Sequence, residues 1–564
     1  MKKIKNIICA VAVAMGLTSC NDFLDILPMN DVVLENYWTQ KSDVTSVLMG
    51  CYESLESSDC VTRMALWGEL RSDNMKMGSA VPWEVEQIIK ENILPTNSYC
   101  RWTAFYQTIN RCNTVCHYAP IVHENDPNYT EAEMQANVAE AVALRSLCYF
   151  YLIRTFRDVP FTREPSIDDT QNYQLPATKF DDVLDSLIVD LEAVKDKAVR
   201  RYYSDDNDQA YHNSSRITRY AIYALLADLY LWKGDWQRCA DCCDYVLDYK
   251  KQQYDELRDR EGNLTNMQLF NEYPLILERP VGSNNSGNAY NEIFGTGNSF
   301  ESIFELFYRQ NVSMTNTFVP NYYGSANGNA YVLGRLSVPT EFYEGLPTQK
   351  TTLFQPTDCR AYENIYRFST ATHAIAKYVR QSVTFNTLGT ITETSIRLSH
   401  QLRSTNYANW IVYRMTDVML MKAEALIEQG ESGFAEAFDL INAVYMRANN
   451  QLTASAANML DRDAYVTSQQ SMRDLLMDER HRELMFEGKR WYDLLRMARR
   501  EGSTRNLANI VVMKQTVDQN GIKIKLADPN ILYYPYYREE LKVNPYLTQN
   551  PAYATGIDDD LSKN

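Results

Sequence analysis

Two carboxylates one helical turn apart, Glu483 and Glu487, sit in the charged stretch 478–497, DERHRELMFEGKRWYDLLRM. Paired acids are what a glycoside hydrolase uses to protonate a leaving group and to attack or activate water. Their neighbours point elsewhere. Glu479 precedes Arg482 by three residues and Glu487 precedes Arg490 by three, a helical spacing that sets a cation beside each carboxylate and favours its ionised form, whereas a general acid needs a raised pKa. These acids read as structural. No G-x-S-x-G elbow, H-E-x-x-H pair, Walker loop or G-x-G-x-x-G turn occurs, and histidine appears only 6 times, so the usual hydrolase, zinc-protease, phosphate and dinucleotide signals are missing. Asp205-Asp206-Asn207-Asp208 offers oxygen ligands for calcium but lacks the glycine and downstream glutamate of a dedicated loop. A solvated acidic loop is the preferred reading, with no metal and no cofactor expected. Of the 12 cysteines, Cys112 with Cys116 and Cys239 with Cys243 repeat at one helical turn, unlike the loop-borne pairs of a zinc site. Cys51, Cys60, Cys100, Cys148 and Cys359 are scattered, and their pairing stays open.

Binding without chemistry has better support. A sugar presents apolar C–H faces and a rim of hydroxyls, so its site needs flat rings and side-chain amides, acids or guanidiniums. The stretch 316–334 mixes both: Phe318, Tyr322, Tyr323 and Tyr331 alternate with Asn321, Asn327 and Asn329, with no helical period to bury the rings. Trp83, in the turn-like Ser79-Ala80-Val81-Pro82-Trp83, and Tyr290, beside a Gly/Asn cluster, complete the candidates. The expected ligand contacts are therefore Trp83, Tyr290, Phe318, Tyr322, Tyr323, Asn327 and Tyr331, whereas Trp102, Trp232, Trp236 and Trp491 fall on helix-repeat positions and belong to the core. From Tyr331 to Trp410 eight Lys and Arg face five Asp and Glu. That local surplus suits an acidic sugar, a partner face, or an ordinary solvated surface, the last being preferred.

Helices must position these groups. From Tyr223 the sequence YALLADLYLWKGDWQRCADCCDYVL matches tetratricopeptide spacing at Ala227, Tyr230, Gly234, Trp236, Cys239, Cys243 and Val246. A second copy starts near Met419, with Ala423, Leu426 and Gly430, then Phe434, Ala437, Ile441 and Val444. Ala104–Val115 and Val138–Phe156 carry further helix-pair patterns. Between them, residues 254–408 change texture to Gly/Asn clusters such as 282–288 and 324–329, broken by β-prone pieces at 302–308 and 377–385. Long ordered loops with small hairpins are expected there, the usual seat of recognition on a rigid scaffold.

The N-terminus sets the address. Lys2, Lys3 and Lys5 precede an apolar run from Ile7 to Leu17, and Leu17-Thr18-Ser19-Cys20 follows. The run is far shorter than the roughly 20 residues of a membrane span, so residues 1–19 read as a lipoprotein signal and Cys20 as the lipidated first residue of the mature chain. The net charge of −16 disfavours nucleic acid and anionic membrane surfaces. Attachment to a membrane must come from the lipid alone.

Several motifs together resemble one family. Asn21-Asp22-Phe23-Leu24-Asp25 with Pro28, Trp38, Cys51-Tyr52-Glu53-Ser54-Leu55 and Arg71-Ser72-Asp73-Asn74 are similar to the N-terminus of the SusD/RagB outer-membrane lipoproteins, as is Trp102 with Tyr106, Ile109, Arg111 and Asn113. Residues 140–160 resemble that family's Arg-aromatic helix ending in Asp-Val-Pro, with Arg157 where glycine is usual. Residues 478–497 resemble its ERxxEL.FEG.RW.DL.R signature, and Asn544-Pro545 with Gln549-Asn550-Pro551 its final NP...QNP. The resemblance implies an all-α-dominated chain. Residues 20–564 would form one globular α–α superhelix of four tetratricopeptide-like pairs, around 102–160, 218–250, 411–447 and 471–500, with a loop-rich ligand-binding insertion at about 254–408. It also implies a non-enzymatic protein at the outer-membrane surface that binds a glycan and passes it to a SusC-like TonB-dependent transporter. A peptide-binding member of the same family, a glycoside hydrolase and a pure protein scaffold are the alternatives.

Overall fold

Polar caps and glycine stops divide the chain into helices that follow one another as α1 (Lys41–Leu55), α2 (Ser58–Glu69), α3 (Trp83–Ile89), α4 (Thr103–Asn125), α5 (Glu131–Phe156), α6 (Phe180–Val194), α7 (Arg219–Lys233), α8 (Trp236–Glu261), α9 (Met415–Gln429), α10 (Glu431–Ala448), α11 (Gln469–Leu484) and α12 (Arg490–Glu501). The computed structural model describes residues 37–554 apart from 168–170, 172, 206, 310–314, 347–348, 370, 387–396, 404–406, 450–458 and 516. Cys20 and the signal segment lie outside the described residues. Capping is explicit in the sequence: the Thr130 hydroxyl accepts from the Glu133 amide while the Glu133 carboxylate accepts from the Thr130 amide, which starts α5. Gly234, with φ of 79°, closes α7 in the left-handed conformation that favours glycine, and Asp235 caps α8 at once. A two-residue link between long helices folds them back on each other, so α7 packs on α8 and, after Gly430, α9 on α10. α8 also packs on α9, α4 on α5, and α11 against α9 and α10. The fold is helix-dominated, as the sequence predicts.

α5 is apolar and long enough to span a bilayer, yet 89% of its most apolar window is buried inside the protein. It is a core helix. The cysteines expected to pack do so: Cys112, Cys239 and Cys243 are buried, and the ten described cysteines, including the five scattered ones, are free thiols. Burial pushes Cys60 up to about 11, the behaviour of an inert core thiol and not of a nucleophile. Trp102, Trp232 and Trp491 are buried as expected, but Trp236 is only partly covered at the edge of the core.

Short sheets fill the stretch between α8 and α9. Ser302–Leu306 pairs antiparallel with Trp410–Arg414, Arg380–Asn386 lies between Arg397–Leu402 and Asn285–Ser286, and Gly324–Asn327 forms a hairpin with Ala330–Leu333. The β-prone pieces thus become real strands. One pairing crosses the chain: Lys76–Met77 adds antiparallel to Leu336–Ser337.

The charged signature helix is an internal clamp. Glu483 Oε1 accepts from Arg414 at 2.6 Å and from Arg447, and its Oε2 accepts from Arg360 at 2.9 Å. Glu487 accepts from Lys377 at 2.6 Å and from Arg414 at 2.8 and 2.9 Å. The expected Glu479–Arg482 pair forms at 2.8 Å, but Arg490 does not meet Glu487. α11 ends at Leu484, the turn through Phe486 (φ 67°) and Gly488 (φ 72°) breaks helical spacing, and Arg490 binds Asp73 instead. The glycines need each other: a Cβ on Gly68 of α2 would stand 1.7 Å from the Gly488 carbonyl oxygen, and one on Gly488 2.9 Å from the Met64 carbonyl oxygen, so the two backbones touch. The local basic surplus after Tyr331 is corrected likewise. Arg360, Lys377, Arg380 and Arg403 are buried, as counterions to Glu479, Glu483 and Glu487 or as donors to main-chain carbonyls, and form no surface patch.

One consequence is measurable in acid. Burial raises the pKa of Glu424, but Arg496 and then Arg500 and Arg480 outweigh it and hold the carboxyl at about 2 against an ordinary 4.5. A depressed carboxyl adds stability that is complete above its unfolded pKa and lost as pH falls through the folded one. Glu424→Gln is therefore expected to cost about 3 kcal/mol at neutral pH. In urea titrations the difference from wild type should shrink between about pH 4.5 and pH 2, and a pH-independent difference would exclude the ion pair as its source.

Candidate ligand-binding surface

Three segments distant in sequence meet backbone to backbone and make a shelf. The Gly78 amide donates to the Arg335 carbonyl at 2.8 Å and that of Ser79 to the Gly334 carbonyl at 2.9 Å. A Cβ on Gly78 would lie 2.5 Å from the Gly334 oxygen, and one on Gly334 2.4 Å from the Tyr322 oxygen. Small residues here are a condition of the contact. The chain then turns through Ala80 at φ 49° and Pro82 caps α3, which puts Trp83 in the first turn with 56% of its surface exposed. α3 is pinned from the far side. Glu84 accepts from the Ser98 amide at 2.7 Å and from its hydroxyl, and the Asn97 side chain donates to the Glu84 carbonyl at 2.9 Å. Next to Ser98, the Tyr99 hydroxyl is hydrogen-bonded to that of Tyr322, and the Arg335 guanidinium lies 5.2 Å from the Tyr322 ring centre. Met77, also exposed, and Asn321 flank the group. An indole face, a thioether, phenol hydroxyls and a guanidinium on a rigid support suit a ligand with apolar faces and a polar rim.

Most of the expected ring contacts are withdrawn by burial. Phe318, Tyr322, Tyr323, Tyr290 and Tyr331 are all buried. The Tyr323 hydroxyl donates to the Phe486 carbonyl at 2.8 Å, that of Tyr290 to the Ala376 carbonyl at 3.0 Å, and that of Tyr331 to the Tyr323 carbonyl at 3.1 Å. Phe318 stacks on Tyr322 at 5.1 Å and meets Trp410 edge-on. The absence of a helical period across 316–334 misled, because residues 319–323 form one π-helical turn and 324–333 a hairpin, both laid on the core. Only the Tyr322 hydroxyl end reaches the shelf. Asn327 stays exposed on the hairpin, which joins the shelf through Gly334. Tyr323→Ala is consequently a stability variant: it should cost about 3–4 kcal/mol in chemical denaturation and Tyr323→Phe about 1 kcal/mol. A Tyr323→Ala protein of native stability would return that ring to the ligand surface.

Met77, Tyr99 and Arg335 were not picked out by sequence reasoning. The only signal was the glycines that open each segment to the next, Gly78 and Gly334.

Facing carboxylates do exist in the interior. Burial and the neighbouring Glu363 push Glu278 well above the ordinary carboxylate range. Their cavity, shared with Arg360, Lys377 and Glu483, measures about 20 Å³ and is too small for a sugar ring. Of the acidic loop 205–208, Asp206 lies outside the described residues, and Asp205 is engaged by Arg201 and by Gln253 at 3.3 Å. Among the described residues no group of three His, Cys, Asp or Glu is placed to hold a metal.

Known proteins share this architecture over 92% of the chain. Residues 22–231 match the family described as starch-binding associating with outer membrane, and residues 282–553 match the SusD family. SusD-like protein P38 of Formosa agariphila is 23% identical over 98% of this chain and 100% of its own length. Among solved structures, a SusD homolog of Bacteroides thetaiotaomicron superposes with a TM-score of 0.67 at 17% identity, covering 92% of this chain and 98% of that one. A SusD superfamily protein of Bacteroides vulgatus gives 0.65 at 19% identity, over 92% and 100%. With both halves matched by models of the same group and the fold shared by its solved members, the chain belongs to the SusD/RagB family.

Proposed function

We propose that this protein is a non-catalytic, lipid-anchored outer-membrane receptor that captures an oligo- or polysaccharide and delivers it to a SusC-like TonB-dependent transporter. The observation that carries the reading is Trp83, an exposed indole at the first turn of α3, a helix tied through Glu84 to Ser98, the neighbour of Tyr99, and preceded by the Gly78–Ser79 segment that is hydrogen-bonded to Arg335 and Gly334. Such a ring stacks on the C–H face of a sugar, and hydroxyls and guanidinium beside it serve the rim. The match to a starch-binding family associated with the outer membrane supports the ligand class and the location. The basic start, apolar run and Cys20 support anchoring through lipid. In this reading residues 20–564 act as one unit, and the 254–408 insertion supplies one half of the site while residues 76–99 supply the other. No step of bond cleavage is assigned, since Glu483 and Glu487 are fixed as carboxylates by arginines and lysine and Glu278 with Glu363 is sealed from a sugar.

The test is a binding screen of the chain from residue 21 onward, which removes none of the described residues, against plant, host and microbial glycans and mixed peptides. Affinity electrophoresis and calorimetry give the readout. Glycan binding without release of reducing ends supports the reading. Peptide binding alone moves the protein to a peptide receptor, and reducing-end release revives a hydrolase.

A further inference from the structure

Beyond Tyr99 the aromatic surface continues. Arg101 is exposed, its guanidinium lies 4.6 Å from the Tyr537 ring centre, and it donates to the Tyr537 hydroxyl at 2.7 Å. The next residues, Trp102 and the first turns of α4, form one wall of a groove of about 540 Å³ whose other walls are Tyr173, Gln174, Glu540 and Asn544. An adjoining hollow of about 250 Å³ shares Tyr106, Pro160, Gln171 and Tyr173 with it. The two are one trough. Its walls are tied across the chain ends: Asn544 donates to the Leu175 carbonyl and Gln174 to the Val543 carbonyl, both at 2.8 Å, and the Tyr106 hydroxyl to the Pro160 carbonyl at 2.6 Å. A trough fixed in this way is preformed and costs little ordering on binding. Tyr173, which stands over both hollows, has 55% of its surface exposed, and the Trp102 and Tyr106 rings meet edge-on at 5.6 Å below.

The lining states the ligand chemistry. Rings are interleaved with Asn and Gln, and among the described residues no Lys or Arg lines either hollow and Glu164 and Glu540 are the acids. An anionic chain finds no cation there, whereas a neutral sugar chain finds C–H stacking and hydroxyl partners. We propose that this trough is a second glycan subsite and that the ligand is a long neutral polysaccharide, lying from the Trp83 shelf past Tyr99 and the Arg101–Tyr537 pair into the Tyr106–Tyr173 trough. The inference rests on the glycan-binding reading above and adds ligand length and neutrality to it. Two subsites on one chain multiply, so affinity rises with chain length until both are filled.

Maltotriose, a long maltooligosaccharide and amylopectin serve as probes, with matched short and long members from xylan, mannan and pullulan run in parallel by calorimetry. Tyr173→Ala removes an exposed ring and leaves the core untouched. It should weaken the long probe about fivefold and leave the short one unchanged, whereas Trp83→Ala should weaken both. Hydrogen exchange with the polymer bound should slow over residues 101–106. Equal affinity of short and long probes, or a Tyr173→Ala protein that binds the polymer as wild type does, overturns the second subsite while glycan binding stands. Failure of wild type to bind any glycan overturns both. A polyanionic chain competing better than the neutral one overturns the neutral class.

Discussion

Glu483→Ala is expected to lose about 3–5 kcal/mol of stability, enough to threaten folding of the whole chain. The carboxylate is buried and holds three guanidiniums, those of Arg360, Arg414 and Arg447, which come from three separate elements of the fold. Burial opposes its charge, but these arginines draw its pKa well below the ordinary value, so it is ionised at any physiological pH. Alanine opens a void beside three buried cations and takes one carboxylate from each, Arg360 keeping Asp358 and Glu479, Arg414 keeping Glu487 and Arg447 keeping Glu301. Glutamine keeps the volume and part of the hydrogen bonding but not the charge, and should fall between alanine and wild type. Contrast comes from Glu539, exposed and paired to Lys542 at 2.8 Å: Glu539→Ala should leave the urea midpoint at that of wild type, since an exposed pair is screened by solvent. Urea denaturation of the variants decides. A Glu483→Ala protein within about 1 kcal/mol of wild type would mean that the arginines find other partners, and the clamp would not be what joins the insertion to the C-terminal helices.

That clamp also explains why charge was misread from sequence. Helix periodicity is a local property, so α4, α5, α7 to α10 and their glycine stops were legible from i, i+3 and i+4 spacing and from Gly234 and Gly430. Counterions are not local. Arg360 and Glu483 stand 123 residues apart, and nothing near Arg360 reveals that it is buried. The aromatic residues failed for the same reason. Tyr323 meets Phe486 across 163 residues and Tyr290 meets Arg380 across 90, so rings in a Gly/Asn-rich stretch looked free while their hydroxyl acceptors lay elsewhere. Trp83 was singled out from local context, the turn-like residues 79–83, but it was read as part of a turn, whereas it starts a helix whose first turn carries Glu84 and Glu86. The pairing of Lys76–Met77 with Leu336–Ser337 spans two residues per strand, too short for any alternation to announce it.

Trp83→Ala is expected to reduce glycan affinity at least about 30-fold, the scale of a residue that anchors a binding surface, without lowering the melting temperature. The second half of that statement separates function from packing. Trp83 is exposed, and α3 is held through Glu84, Asn97 and Ser98 and through the buried Val85, Ile88 and Ile89, none of which the substitution touches. Trp83→Phe retains a flat ring of smaller area and should keep part of the affinity. Val189→Ala, an exposed apolar side chain on α6, is the control and should alter neither quantity. Calorimetry with the glycan selected by the screen, beside thermal denaturation of each variant, reads both at once. Unchanged affinity in a folded Trp83→Ala protein would remove the shelf from the binding site and move the search to the other aromatic hollows, the trough around Tyr106 and Tyr173 first among them. A fall in melting temperature that matched the loss of affinity would instead make Trp83 a support of the shelf and transfer the stacking role to Tyr99 and the Tyr322 edge, which lie on the same backbone contact.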